Sequence, residues 1–193
     1  MKRSAATLTI VLLLAAACAA AVGCGGNTGK ARQYMTVADQ SYEDAAAKGD
    51  QLQKHEEAAL PALMSGDPAA LLQAAPRIAD IQQSIDTYRA SAQTTKADYA
   101  KITALSGVAE YKTYANMMIA ALDTILASLD TGQGLLDDVS KLVQQLSAGQ
   151  QVDMQSMKAG LFSKIKQALD QGQNANRLEA KAKAYQTAHK LLE

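Results

Sequence analysis

The sequence predicts an all-α protein: an elongated, antiparallel, up-down-up-down four-helix bundle with coiled-coil-like seams. Three observations predict it. After residue 30, apolar residues recur at alternating steps of three and four, the spacing of one helix face. Strand-like runs rich in Val, Ile and Thr do not interrupt them. Short polar breaks cut this stretch into four segments of similar length, and short links make neighbouring helices antiparallel.

The first helix is expected over about residues 31–63, with a seam of Met35, Ala38, Tyr42, Ala45, Gly49, Leu52, Ala59 and Leu63. Glu56 falls on that seam and breaks its apolar character, and Pro61 bends or ends the helix. The second is expected over 68–105. Asp67 is its N-cap and Pro68 its first helical residue. Its seam runs Leu71, Ala74, Ile78, Ile81, Ile85, Tyr88, Ala92, Thr95, Tyr99, Ile102, and Pro76 is a candidate kink.

The third helix, over 108–147, carries the clearest seam, from Val108 and Tyr111 through Ala115, Met118, Leu122, Ile125 and Leu129 to Leu136, Val139, Val143 and Leu146. The seam keeps its phase across Gly132 and Gly134, so one continuous helix is expected although each Gly costs about 1 kcal/mol. The fourth, over 153–192, runs Met157, Leu161, Ile165, Ala168, Gly172, Ala175, Leu178, Ala182, Tyr185, His189, Leu192. Its phase slips near Ala175, beside "DQGQNANR", so a break at 170–177 is the alternative.

The residues ahead of the helices tell a different story. "MKRSAATLTIVLLLAAACAAAVGCGG" has a basic start, an apolar stretch and then small residues before a cysteine, the layout of a secretory signal. The small residues followed by Cys24 resemble the lipobox of bacterial lipoproteins. The resemblance implies cleavage after residue 23 and lipidation of Cys24, which becomes the mature N-terminus carrying acyl chains such as palmitate. Cys18 also follows small residues. Cutting there shortens the apolar core and leaves a spare thiol, so Cys24 is the preferred anchor. An uncleaved apolar membrane anchor is one alternative, and ordinary secretion with an unmodified Cys24 ranks behind it. On this reading 1–23 is a signal peptide, 24–30 a flexible tether and 31–193 the bundle. Gly25 after the cysteine, rather than Asp, resembles lipoproteins passed to the outer membrane where two membranes exist. In a one-membrane bacterium the chain sits on the outer leaflet of the cytoplasmic membrane.

Composition narrows the function. Nineteen Lys and Arg balance nineteen Asp and Glu, which argues against a nucleic-acid partner. The two histidines, His55 and His189, fall at opposite ends of the bundle, and neither belongs to an H-E-x-x-H or E-x-x-H pair. No nucleophile elbow or phosphate-cradling loop occurs, so neither an enzyme nor a metal or other cofactor is expected. Antiparallel counting gathers Tyr34, Tyr99, Tyr111, Tyr114 and Tyr185, with Met118, in the half nearest the tether. Rings with hydroxyls beside adaptable thioethers line many ligand or partner pockets, although the same residues can simply fill a core. Gly49, Gly132 and Gly172 fall near mid-height, where they allow close helix approach or leave a cavity.

The expectation is a membrane-tethered, non-enzymatic binding or scaffold protein of the cell envelope, with a protein or cell-wall partner. A sensor or carrier of a small apolar ligand is the alternative, and an envelope hydrolase ranks behind both. The heptad seams also allow a homo-oligomer.

Overall fold

The computed structural model describes the backbone of residues 4–65 and 67–193, and the side chains of 26–65, 67–153 and 155–193. The expected signal segment, and Cys24 with its lipid, fall outside the described side chains. The chain forms α1 (Ser4–Ser65), α2 (Pro68–Thr103), α3 (Ala109–Ser147) and α4 (Met154–Ala188), with no strand among the described residues. It is an all-α four-helix bundle. Among the described residues no helix is long and apolar enough to cross a membrane.

Caps and glycines set the turns. Asp67 accepts the Ala69 amide at 3.0 Å ahead of Pro68, and Asp153 accepts the amides of Gln155 and Ser156. Ser156 Oγ also donates to Asp153, and these bonds hold the Asp153 carboxyl below its ordinary pKa. Gly107 (φ 73°) closes the turn between α2 and α3, and Gly149 (φ 70°) shares the last turn with Asp153, both in the left-handed region that glycine enters without a steric cost.

Neither proline ends its helix: Pro61 lies within α1 and Pro76 within α2. Arg77 of α2 donates to the Ala58 carbonyl at 2.5 Å, in the turn of α1 that Pro61 loosens. α3 is continuous across both glycines, and α4 is continuous through 170–177. At 1.5 Å per residue the 36 residues of α2 make a rod of roughly 54 Å.

Two differences from the sequence reading stand out. Residues 26–30, expected as a flexible tether, are helical, and Asn27 donates to the Ser106 carbonyl (2.9 Å) and hydroxyl (3.0 Å) across the turn between α2 and α3. The far end of α4 also stops early. Lys190 adopts a positive φ of 49° after the helix closes, which rotates the chain, so Leu191 is buried where the helical pattern pointed to Leu192. The Leu191 carbonyl then accepts the Tyr111 hydroxyl at 3.0 Å.

α1 packs on α2, α2 on α3 and α3 on α4, while α1 and α3 approach along a diagonal. α1 and α4 do not approach as neighbouring pairs do, so one of the four sides is wider than the rest. The core has two parts. The proximal part, near residues 26–42, is aromatic: Met35, Tyr42, Tyr99, Tyr111, Tyr114 and Met118, closed by small alanines. The distal part is aliphatic: Leu52, Ile78, Ile81, Ile85, Leu129, Leu136, Val139 and Leu161.

Candidate functional site

The tyrosine cluster is the strongest candidate site, and its geometry is that of a polar junction. Tyr99 and Tyr114 are at most 1 % exposed. Their rings meet edge to face, with centroids 5.9 Å apart at 77°. Both hydroxyls donate to the same atom, Asp39 Oδ1, at 2.6 and 2.7 Å. The other oxygen, Oδ2, accepts the Gln186 side-chain amide at 2.8 Å. One carboxylate on α1 therefore ties together α2, α3 and α4.

Placing this acceptor follows from packing. Tyr99 and Tyr114 fill the seam with rings whose hydroxyls need a partner once water is excluded. Ala38, fully buried on α1, leaves room beside it, and Asp39, the next residue, is half-buried at the edge. Burial and the adjacent carboxylate hold both phenols well above their ordinary pKa, so they remain donors.

A second polar layer adjoins the first. Ser41 donates to Asp98 Oδ2 at 2.9 Å, and Lys101 pairs with Asp98 Oδ1 at 2.7 Å. Buried Thr95 donates to the Ser41 carbonyl at 2.9 Å. The Lys101 ammonium, followed by the Ser41 hydroxyl, holds the Asp98 carboxyl below the usual carboxylate range. Further along, Tyr42 lies near Glu179 and under Lys183, whose Nζ is 5.7 Å from the ring centroid. Burial, and then Glu179, hold the Tyr42 phenol far above its ordinary range. Tyr88 is pushed up to about 12, first by burial.

The remaining candidates lie around this junction. Tyr111 and Met118 are buried in the same cluster. Tyr34 is half-buried under Lys30, whose Nζ is 5.7 Å from its ring centroid. Tyr185 stacks on His189 at 4.1 Å, and His189 Nδ1 lies 3.3 Å from Glu110. The structure thus gathers Tyr99, Tyr111, Tyr114 and Met118 in one packed core and leaves Tyr34 and Tyr185 at its margin. The Tyr99 and Tyr114 rings meet each other and Asp39, while Tyr111 bonds to the Leu191 carbonyl.

The mid-height glycines separate into three cases. A Cβ on Gly49 would stand 3.1 Å from the Tyr88 ring, so Gly49 permits a close approach. One on Gly132 would make ordinary contact with Ile85, and one on Gly172 would meet open space.

His55 lines a polar groove between α1 and α2 with Lys48, Asp80 and Ser84, and His189 lies at the other end. Among the described residues no group of three or more His, Cys, Asp or Glu side chains could hold a metal ion.

Sequence reasoning missed Asp39, Gln186, Asp98, Ser41 and Glu179. One signal pointed to Asp39: buried tyrosine hydroxyls demand an acceptor, and Asp39 stands between seam residues Ala38 and Tyr42 at their level. No known protein family, curated protein or solved structure matches the chain.

Proposed function

We propose that the chain is a lipid-anchored, extracytoplasmic bundle that acts as a non-enzymatic binding or scaffold protein of a bacterial cell envelope, held to a membrane through Cys24. The packed interior is what favours binding at the surface. Tyr99 and Tyr114 occupy the ground that a pocket would need, and Asp39 already accepts three protein donors. A rod that is full inside recognises partners through its outer faces and its far end. This favours a scaffold over a carrier of a small apolar ligand.

The anchor is supported by the apolar stretch and small residues that precede Cys24. Several acyl chains, at roughly 0.8 kcal/mol per buried CH₂, would hold the rod firmly on a bilayer. Mass spectrometry of the protein purified from envelopes tests this part: an acylated N-terminal Cys24 is expected, and an unmodified Cys24 with residues 1–23 attached overturns it. Cross-linking in intact envelopes tests the binding role. A reproducible protein or cell-wall adduct on an outer face is expected, and recovery of lipid alone overturns the scaffold.

A further inference from the structure

The side between α1 and α4 is two surfaces in one. In the proximal half, side chains cross it: Asp39 to Gln186 at 2.8 Å, and Lys183 over the Tyr42 ring. In the distal half an apolar groove takes their place. Leu63 and Met64 of α1 face Leu161, Phe162 and Ile165 of α4 across a floor of α3.

The rims of that groove carry large apolar side chains in water. Leu60 lies about 18 residues, or five helical turns, beyond Tyr42, on the same face of α1, and is 42 % exposed. On α4, Phe162 is 39 % exposed and Leu169 61 %. The antiparallel register, fixed by Asp39 with Gln186 and by Leu63 beside Leu161, sets Leu60 level with Ile165. That level is midway between Phe162 and Leu169. Charge divides between the rims: Glu56 and Glu57 stand on α1, and Lys158 and Lys166 on α4. Neither Glu56 nor Lys166 has an ion-pair partner among the described residues.

We propose that this distal flank is a homodimer interface, in which a second copy lays the Leu60 face of its α1 between Phe162 and Leu169, with its Glu56 and Glu57 against Lys166. The second copy's α4 receives the first copy's α1 in the same way, about a two-fold axis parallel to the rod. Charge selects that axis. A two-fold axis across the rod would stack α1 on α1 and acid on acid, whereas the parallel axis sets acid on base. It also leaves both chain starts at one end, as a shared membrane requires. Only that last remark rests on the anchored reading.

Sedimentation of the full chain in a mild nonionic detergent, across micromolar concentrations, tests the interface. A reversible monomer–dimer equilibrium is expected. Phe162→Asp should weaken it by at least about tenfold, and Leu72→Asp, exposed on α2, should leave it unchanged. Glu56→Lys should weaken it, and adding Lys166→Glu should restore it. Leu169→Asp replaces Phe162→Asp if circular dichroism shows the latter to be unfolded. A zero-length carbodiimide cross-link on a mixture of light and ¹⁵N-labelled chains should join Glu56 or Glu57 to Lys166 in mixed pairs. A monomer at every concentration, a dimer indifferent to these changes, or cross-links confined to single chains would overturn the proposal. The anchor is read separately from the N-terminal mass.

Discussion

The two halves of this bundle solve the same packing problem with different chemistry. The distal half fills its core with Leu, Ile and Val and leaves the side between α1 and α4 as an apolar groove. The proximal half fills its core with tyrosines and closes that side with polar bonds. Aliphatic side chains give non-directional burial and tolerate small shifts. Buried hydroxyls accept few geometries and penalise every other one. The polar half therefore fixes helix register and rotation, and the aliphatic half follows.

Asp39 is where the proximal half is most vulnerable. Asp39→Ala removes the acceptor of two buried phenols, and leaving such donors unsatisfied costs about 1–3 kcal/mol each. A loss of roughly 3–4 kcal/mol is expected in urea denaturation. Tyr99→Phe or Tyr114→Phe alone should cost about 1 kcal/mol. Adding both Phe substitutions to Asp39→Ala should recover part of the loss, since the orphaned donors go with them. If Asp39→Ala costs no more than one of the Phe variants, the junction does not organise this half.

Acid titration sharpens the contrast, because one carboxylate in each half shifts in the opposite direction. Asp98 is held low by Lys101 and Ser41, so the unfolded chain binds more protons than the native one over that range. Its contribution is present above the unfolded pKa of about 3.9 and is lost as pH falls through the lower native value. Glu56 is exposed at the rim of the groove, and partial desolvation by the surrounding protein raises its pKa. Its contribution runs the other way: it is greatest in acid and is lost as pH rises from about 4.3 through the native value. Chemical denaturation from pH 2 to 7 should therefore show a shallower acid loss in Asp98→Asn. At concentrations where the chain is monomeric, Glu56→Gln should be more stable than the parent at pH 7 and indistinguishable from it at pH 2.

Two glycines give a smaller test. Gly172→Ala, with open space around the new methyl, should gain up to about 1 kcal/mol of helix propensity. Gly49→Ala should gain less or lose, because its methyl meets the Tyr88 ring at 3.1 Å. Thermal denaturation of the pair reads the difference. The smallest effect is expected at the exposed pair Arg89–Asp130: Asp130→Asn should change stability by less than about 0.5 kcal/mol, and salt should erase it.

Much of the fold was legible in the sequence, and its failures are informative. Nine of the ten predicted seam residues of α2 are buried, and Tyr88 is half-buried beside Gly49. Glu56, which broke the first seam, stands exposed on the distal rim. Leu191 and Leu192 exchanged roles because a single left-handed residue, Lys190, ended the helical period that had selected Leu192. The tyrosines were gathered correctly by counting from the turns. Their partner was not, because Asp39 lies one residue off the seam, where helix periodicity assigns solvent.

Four helices, their antiparallel order and the stripe that each turns inward follow from the order of residues alone. Those features rest on local spacing and capping, which act within a few residues along the chain. Helix packing added that Asp39 serves two tyrosines at once, that Gly49 yields to a ring while Gly172 faces open space, and that α1 and α4 bridge in one half and part in the other. These depend on the rotation and separation of helices distant in sequence, which one-dimensional periodicity does not encode.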